Sequence, residues 1–484
     1  MANDPNTIQY VIQEDGFWYI ASKDRTPGVP EITVSTKGVA NGLSTEYNDG
    51  YDFGPDSYNP SITSGVPLTQ TGGMQEAITL EINTNGRYNG LVAIKIVGGG
   101  NILLNAPLNI PSYDVFVTGD NGTMFTANVA LSYMIPLHYV GIQFHNITFN
   151  GNNLADNICD ANGPSDDDVC FFENCSFLQA KSNAIYCSNI PVPIIFVKCL
   201  FYSNPWALYS QYSNTNLKFI HCAFNGQSTL NANITSGTFS CDFIGCYDVG
   251  QIIATGNAPN AININAEQTD FSDYNETISD PIITLSNGYF SGNDLSFALY
   301  SQPYIFGVGP NTTITINNGT YASNGYGISG GATMYLVYGN TGATGVVRLT
   351  NSVFLVPSTF NNVFNAITGV TVPVLLAGTI TAFPGLGTIN IGASTTISGT
   401  TAGTLVASMP NPELYYKKVI IYLNGYENDS TTAQTYTYPV AFTTVAAITS
   451  NTASVPVVST SLTEFSIAPD TTTAYTGIIV IEGY

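Results

Sequence analysis

The chain has 484 residues, enough for two or three domains, yet only 9% of them are charged where an ordinary soluble protein carries about 25%. Its net charge of −22 repels phosphate backbones and anionic lipid headgroups, which argues against nucleic acid or a membrane surface as partner. No apolar run reaches the roughly 18 residues of a spanning helix, so no membrane insertion is expected.

Residues 1–65, with "DGFWYI" and "NDGYDFGPDSYN", read as a head or anchoring segment. The opening "MANDPNTIQYVIQEDGFWYI" lacks the basic region and apolar core of a secretory signal, although the rest of the chain is extracellular in composition. Virion components reach the outside in that way; a removed propeptide would leave the same pattern. Next comes "GGMQEAITLEIN", where Met74, Ala77, Ile78 and Ile82 fall at helical spacing. It is followed by the strands "LVAIKI", "NILLNAPLNIPS" and "DVFVTG", and from there β-branched and aromatic residues alternate between Gly, Asn, Pro and Ser. The chain is therefore expected to be all-β apart from that helix.

A repeat then sets the architecture. The strings "FHNITF", "FENCSF", "FVKCLF", "FIHCAF" and "FIGCYD" align on Ile147, Cys175, Cys199, Cys222 and Cys246, at steps of 28, 24, 23 and 24 residues. After a gap of 42 the frame resumes at Gly288, Gly319 and Ser352. This aligned position and the aromatic two residues on share one face of a strand, whereas the apolar residue three earlier has the wrong parity, so a bend must separate them. Asn146, Asn174, Asn287, Asn318 and Asn351 stand at the bend, and Asn accepts the left-handed conformation that a sharp corner needs. Strand, Asn corner, strand, every two dozen residues, describes a parallel β-helix over residues 66–400, with Ile147 and the four Cys stacked inward at about 4.8 Å per rung. A leucine-rich repeat would want Leu at most core positions and helical returns. The pairs Cys170/Cys175 and Cys241/Cys246 have zinc-like internal spacing but lie too many rungs apart to share an ion; disulfides within the cluster stay open.

The 28-residue step is explained by the acidic insertion "NNLADNICDANGPSDDDVC". Asp160, Asp166 and Asp168 are its candidates for glycoside cleavage, which needs one carboxylic acid and one carboxylate at a set separation; Ca²⁺ ligation and a plain solvated loop are the other readings. In "NPWALYSQYSN", Trp206, Tyr209 and Tyr212 lie away from the core phase and offer faces for stacking on sugars, unless a neighbouring protomer buries them. His145 and His221 flank corners, and neither they nor His138 belongs to a metal pair. "GYGISGG" matches the nucleophile-elbow string without the strand-to-helix context it requires. With no Walker loop, dinucleotide fingerprint or H-E-x-x-H, neither cofactor nor metal is expected.

After about residue 400 a small-residue stretch, "ISGTTAGTLVASMPNPELYY", reads as a linker. "KKVIIYLNGYEND", "TYTYPVAFTTVAAITS" and "AYTGIIVIEGY" then alternate like strands split at Asn-Gly, Glu-Asn-Asp and Ser/Thr turns, a compact antiparallel β-sandwich over residues 405–484.

The helix-then-strand entry resembles that of pectin-lyase-like β-helix proteins, including viral tailspikes. "YPVAF" with the terminal "GIIVIEGY" is similar to tail-fibre tip domains, and the chain as a whole resembles attachment proteins of viruses that infect hyperthermophilic acidophilic archaea. The resemblance covers about residues 45–484 and rests on general pattern rather than a catalytic signature. It implies a right-handed parallel β-helix capped by a short N-terminal helix, with a small C-terminal antiparallel β-sandwich. It further implies a homotrimer on the virion surface that binds a host surface glycan or glycoprotein, with other virion proteins held through the N-terminal segment. A polysaccharide-degrading tailspike on the same coil and a cellular surface-layer protein are the competing readings.

Overall fold

The computed structural model describes the chain except residues 1–9, 15–16, 22–31, 37–68, 85–90, 111–113, 138–141, 163–168, 190–192, 212–214, 226–227, 273–280, 300–303, 324–333, 341, 356–363, 366–373, 384–386, 391–395, 400–403, 410–416, 429–432, 438–444, 451–456, 462, 468–469 and 484. Two compact units divide it, Met1–Ala223 and Phe224–Tyr484. Both contain parallel β-helix.

In the first unit each rung has three strands, which stack into three parallel sheets. The first sheet runs Ile32–Ser35, Leu91–Val97, Asp114–Gly119, Ile142–His145, Cys170–Glu173, Ile194–Val197 and Thr215–Ile220. The second runs Asn101–Leu104, Met124–Ala127, Thr148–Asn150, Ser176–Leu178 and Leu200–Tyr202. The third runs Leu131–Pro136, Ala155–Asn162, Asn183–Asn189 and Trp206–Ser210. The helix spans Met74–Thr84 and packs on Ile32–Ser35 and Leu91–Val97, burying Met74, Ala77 and Ile78. Ile32–Ser35 comes from the stretch read as a separate head; here it is the outermost strand described in the first sheet.

Between the first and second sheets the backbone turns through a left-handed residue: Asn146 (φ 59°), Asn174 (50°), Lys198 (52°) and His221 (52°). The residue after each, Ile147, Cys175, Cys199 or Cys222, is at most 2% exposed. These thiols also donate hydrogen bonds: Cys175 Sγ to Phe144 O at 3.3 Å, Cys199 Sγ to Phe172 O at 3.4 Å and Cys222 Sγ to Phe196 O at 3.4 Å. Each acceptor lies in the strand that leads into the corner of the preceding rung. At these three rungs the thiol both fits the corner and meets a buried carbonyl, whereas Ile147 fills the same position without a donor. Phenylalanines fill the space on either side of the bend. Phe144, Phe172, Phe196 and Phe219 stack with centroids 5.7, 5.2 and 4.9 Å apart, and Phe125, Phe149, Phe177 and Phe201 with 5.6, 5.4 and 4.9 Å. The two columns meet edge to face, as at Phe172–Phe177, 5.4 Å.

The second unit repeats the plan. Its sheets run Leu230–Ile234 to Phe364–Asn365, Phe239–Ile244 to Val374–Phe383, and Asp270–Ser272 to Val353–Leu355. Its inward position after the corner is held by Cys246, Thr269, Leu295, Gly319 and Ser352, behind Gly245, Gln268, Asp294, Asn318 and Asn351, all with positive φ. The sequence frame has to be corrected here. Asn287 has φ 59°, but it turns from Ile283–Ser286 into Gly288–Asn293, a different corner, so Gly288 is not on the ladder. The apparent gap of 42 conceals Thr269, whose hydroxyl donates to Phe243 O (3.3 Å) and Glu267 O (2.8 Å) in the role that the thiols play above.

Beyond Phe383 the pairing turns antiparallel. Thr404–Met409 pairs with Val374–Phe383 on one edge and Lys417–Asn428 on the other, and Asp470–Gly483 lies between Lys417–Asn428 and Val445–Ser450. Gln434–Thr437, Glu464–Ile467 and Val457–Thr460 form a second antiparallel sheet. Two sequence expectations change. The stretch read as a linker holds strands at Thr396–Gly399 and Thr404–Met409, and Asn424-Gly425, read as a turn, lies within Lys417–Asn428 where the register shifts. Glycine suits a bulge as well as a hairpin turn.

Candidate functional site

The third sheet of the first unit carries two sequence candidates that sit 46 residues apart, Asp160 and Trp206, on strands separated by one other. Its strands pair so that Asp160, Tyr186 and Tyr209 occupy one register line across three rungs, and Asn157, Asn183 and Trp206 a second. These positions are partly exposed, whereas Cys159, Ile185 and Leu208 between the lines point into the core and are buried. Constant register from Asn157 to Ala161, before the shift at Asn162, explains the columns: residues one period apart land directly above one another.

The two tyrosine rings stack with centroids 5.8 Å apart and planes 10° from parallel. Gln211 fixes both hydroxyls: its Nε2 donates to Tyr209 Oη at 2.9 Å, and Tyr186 Oη donates to its Oε1 at 3.2 Å. Asn183 Nδ2 donates to Asn157 Oδ1 at 2.9 Å, continuing the amide line below Trp206. At the rim Lys181 Nζ holds Asp156 Oδ1 at 2.8 Å, both well exposed. Asp160 Oδ1 is shielded from solvent, and its charge adds to the effect of burial in pushing up the thiols of Cys159 and Cys187 behind the sheet. Half-exposed rings, fixed hydroxyls and amides beside one carboxylate can stack on and hydrogen-bond to a polyhydroxylated ligand.

Asp166, Asp168 and Tyr212 lie outside the described residues, as do His138 and the "GYGISGG" string. All eight Cys are buried free thiols, and burial raises Cys199 well above the ordinary thiol range. Among the described residues no group of three or more His, Cys, Asp or Glu could hold a metal ion. Sequence reasoning missed Tyr186, Asn157, Asn183 and Gln211. A signal was present, since Asn183 and Tyr186 each precede Trp206 and Tyr209 by the 23 residues of one rung.

A second polar contact lies on the outer face of the first sheet. His145 Nδ1 donates to Glu173 Oε2 at 3.0 Å, with Phe116 and Phe171 against the imidazole at 5.0 and 5.6 Å. That hydrogen bond, opposed by burial, holds the Glu173 carboxyl below the usual range. A carboxylate whose folded pKa is depressed contributes stability above its unfolded pKa and loses it as pH falls through the folded value. The melting temperature of the wild type should therefore exceed that of Glu173→Gln by a constant margin above about pH 5, and the margin should shrink below about pH 4. Thermal melts from pH 6 to pH 2.5 check this; a margin that does not change with pH would show that the contact has no ionic component.

No protein-family model matches the chain, and no curated protein sequence does. Solved structures with a similar course include ORF18 of Geobacillus virus E2, 12% identical with a TM-score of 0.44, covering 87% of this chain and 81% of that one. PfbA, a surface adhesin of Streptococcus pneumoniae, is 11% identical with a TM-score of 0.34 over 70% of this chain and 92% of its own. The tailspike gp61 of Pseudomonas phage phi297 is 11% identical with a TM-score of 0.29, covering 77% and 66% respectively.

Proposed function

We propose that the protein is a virion spike or tail-fibre component, displayed on the virion surface, that attaches to a host cell-surface glycan or glycoprotein. The carrying observation is the strip of Trp206, Tyr209 and Tyr186 with Gln211, Asn157 and Asn183 on the side of a β-helix. Such a strip recognises hydroxyl-rich ligands without chemistry, and a rigid coil is a scaffold that orders it in advance. The resemblance of the entry helix and the C-terminal strands to tailspikes and fibre tips supports the virion setting, with hosts among hyperthermophilic acidophilic archaea. In this reading the chain is a homotrimer joined mainly through residues 405–484 and the flank of the coil, and the N-terminal segment holds other virion proteins.

Polysaccharide cleavage at the same strip is the second reading, favoured by Asp160 standing in line with Tyr186 and Tyr209. Glycoside cleavage needs two carboxyl groups; the neighbouring Asp156 is engaged by Lys181, and the other candidates, Asp166 and Asp168, lie outside the described residues. The stacked rings and fixed amides support attachment as the first reading. A cellular surface-layer role would leave virions unlabelled by immunogold against this protein.

The test is binding of the purified protein to host envelope glycans, with released oligosaccharides assayed in parallel. Trp206→Ala with Tyr209→Ala is expected to weaken binding by about ten- to a hundredfold, the range for two aromatic anchors. Unchanged binding would remove the strip from the function. Oligosaccharide release that Asp160→Asn abolishes would replace attachment by cleavage.

A further inference from the structure

The outward face of the second sheet in the first unit is unlike the other two. Its outward-facing register positions fall in two lines, Asn101, Met124, Thr148, Ser176 and Leu200, and Leu103, Thr126, Asn150, Leu178 and Tyr202, of which Thr126 is itself buried. None is charged. The outward line of the first sheet carries Lys95 and Glu173, and the third sheet carries Asp156 and Asp160. Leu103 (44%), Leu200 (37%) and Tyr202 (44%) are also three of the six large apolar side chains most exposed among the described residues. Leu103 stands at one end of the sheet, four strands from Leu200 and Tyr202, which adjoin Leu178 at the other; on a chain with so much polar surface, exposed apolar side chains grouped as these last three are mark a contact site.

Charge decides the partner. Two copies of a chain with net charge −22 repel one another, and the cost is least where the facing surfaces bear no charge. A nucleic acid would need cations on the patch, and its Asn, Thr and Ser are too evenly interleaved with Leu and Tyr for insertion into lipid. A second copy meets both requirements, since uncharged amides and hydroxyls donate and accept equally and can pair with their own kind. We infer that this face, centred on Leu178, Leu200 and Tyr202, is where copies of the chain lie side by side, the coil-flank contact of the assembly proposed above. The inference rests on that assembly reading and adds the surface it uses.

Light scattering on the full-length protein first gives the oligomeric mass, where a trimer is three times 51.5 kDa. Leu200→Cys and Tyr202→Cys, made separately, should then give disulfide-linked species under mild oxidation, because the eight native thiols are buried. Ser132→Cys, exposed on the third sheet, should not. Independently, Leu200→Glu with Tyr202→Glu should raise the concentration needed for assembly at least tenfold while the circular dichroism spectrum is kept. A monomeric wild type would sink the assembly reading itself. An oligomer in which neither cysteine cross-links, or in which Ser132→Cys links as readily, would overturn this face alone.

Discussion

Replacing Phe196 by alanine is expected to cost about 3–5 kcal/mol, the range for emptying a fully buried phenylalanine site. Its side chain is sealed from solvent and stacks on Phe172 at 5.2 Å and Phe219 at 4.9 Å. It also meets Phe177 and Phe201 edge to face at 5.8 and 5.4 Å. One substitution thus removes two edge-to-face contacts between the columns as well as two stacked pairs. The surroundings cannot close the gap, because each neighbouring ring is fixed by a strand whose register is pinned by the rungs on both sides. In a solenoid, stability is a sum over rungs and their interfaces, so the damage should concentrate locally. Urea denaturation should show the loss, and hydrogen exchange should show amides of Cys170–Glu173 and Ile194–Val197 opening before those of the second unit. Tyr289→Ala, at a ring 44% exposed, should stay within about 0.5 kcal/mol and serves as the control. A loss below about 1 kcal/mol for Phe196→Ala would contradict the packing described, given the values typical of such sites.

The parallel β-helix was legible because its corner has a strict physical demand. A left-handed residue followed by a small inward one, with aromatics two after and three before, leaves a readable string. The demand is on conformation, though, and residue type reports it only in part. Lys198, His221, Gln268 and Asp294 adopt the same positive φ as the asparagines without advertising it. Thr269 can replace Cys because hydroxyl and thiol are both compact donors to the preceding rung, while Ile147, Leu295 and Gly319 show that the position also accepts residues with no donor. In the C-terminal region the backbone signals were ambiguous in kind: an Asn-Gly pair permits positive φ in a bulge as well as in a turn, and a stretch rich in small residues can still pair as strand. The candidate strip was only half visible. Trp206 and Tyr209 stand out by type, whereas Tyr186 and Asn183 acquire meaning only when the rung length is applied to them.

Gly288 offers the sharpest test of the corrected frame. On the inward ladder it would share its position with Cys, Thr and Ser, and alanine would fit at little cost. Instead it opens the strand Gly288–Asn293 opposite Ile262, and a Cβ there would stand 2.4 Å from Ile262 Cβ, 2.6 Å from Ile262 O and 3.0 Å from Ile262 Cα. Two of those atoms are backbone, held by the pairing of Phe239–Ile244 with Ile262–Glu267, so relief requires two strands to part. Gly319 is on the ladder, and a Cβ there would meet Tyr321 Oη at 2.5 Å, Tyr321 Cζ at 2.8 Å and Ile316 Cγ2 at 3.0 Å, all of them side-chain atoms, so the adjustment falls on the buried Tyr321 ring and leaves the strand pairing in place. Gly288→Ala should therefore destabilise by about 2–3 kcal/mol, in the overpacking range, and Gly319→Ala by about 1 kcal/mol. Denaturation midpoints of the two variants, measured side by side with the wild type, give the ranking. Equal losses, or the greater loss at Gly319, would mean that Gly288 occupies a roomier site than its contact with Ile262 implies.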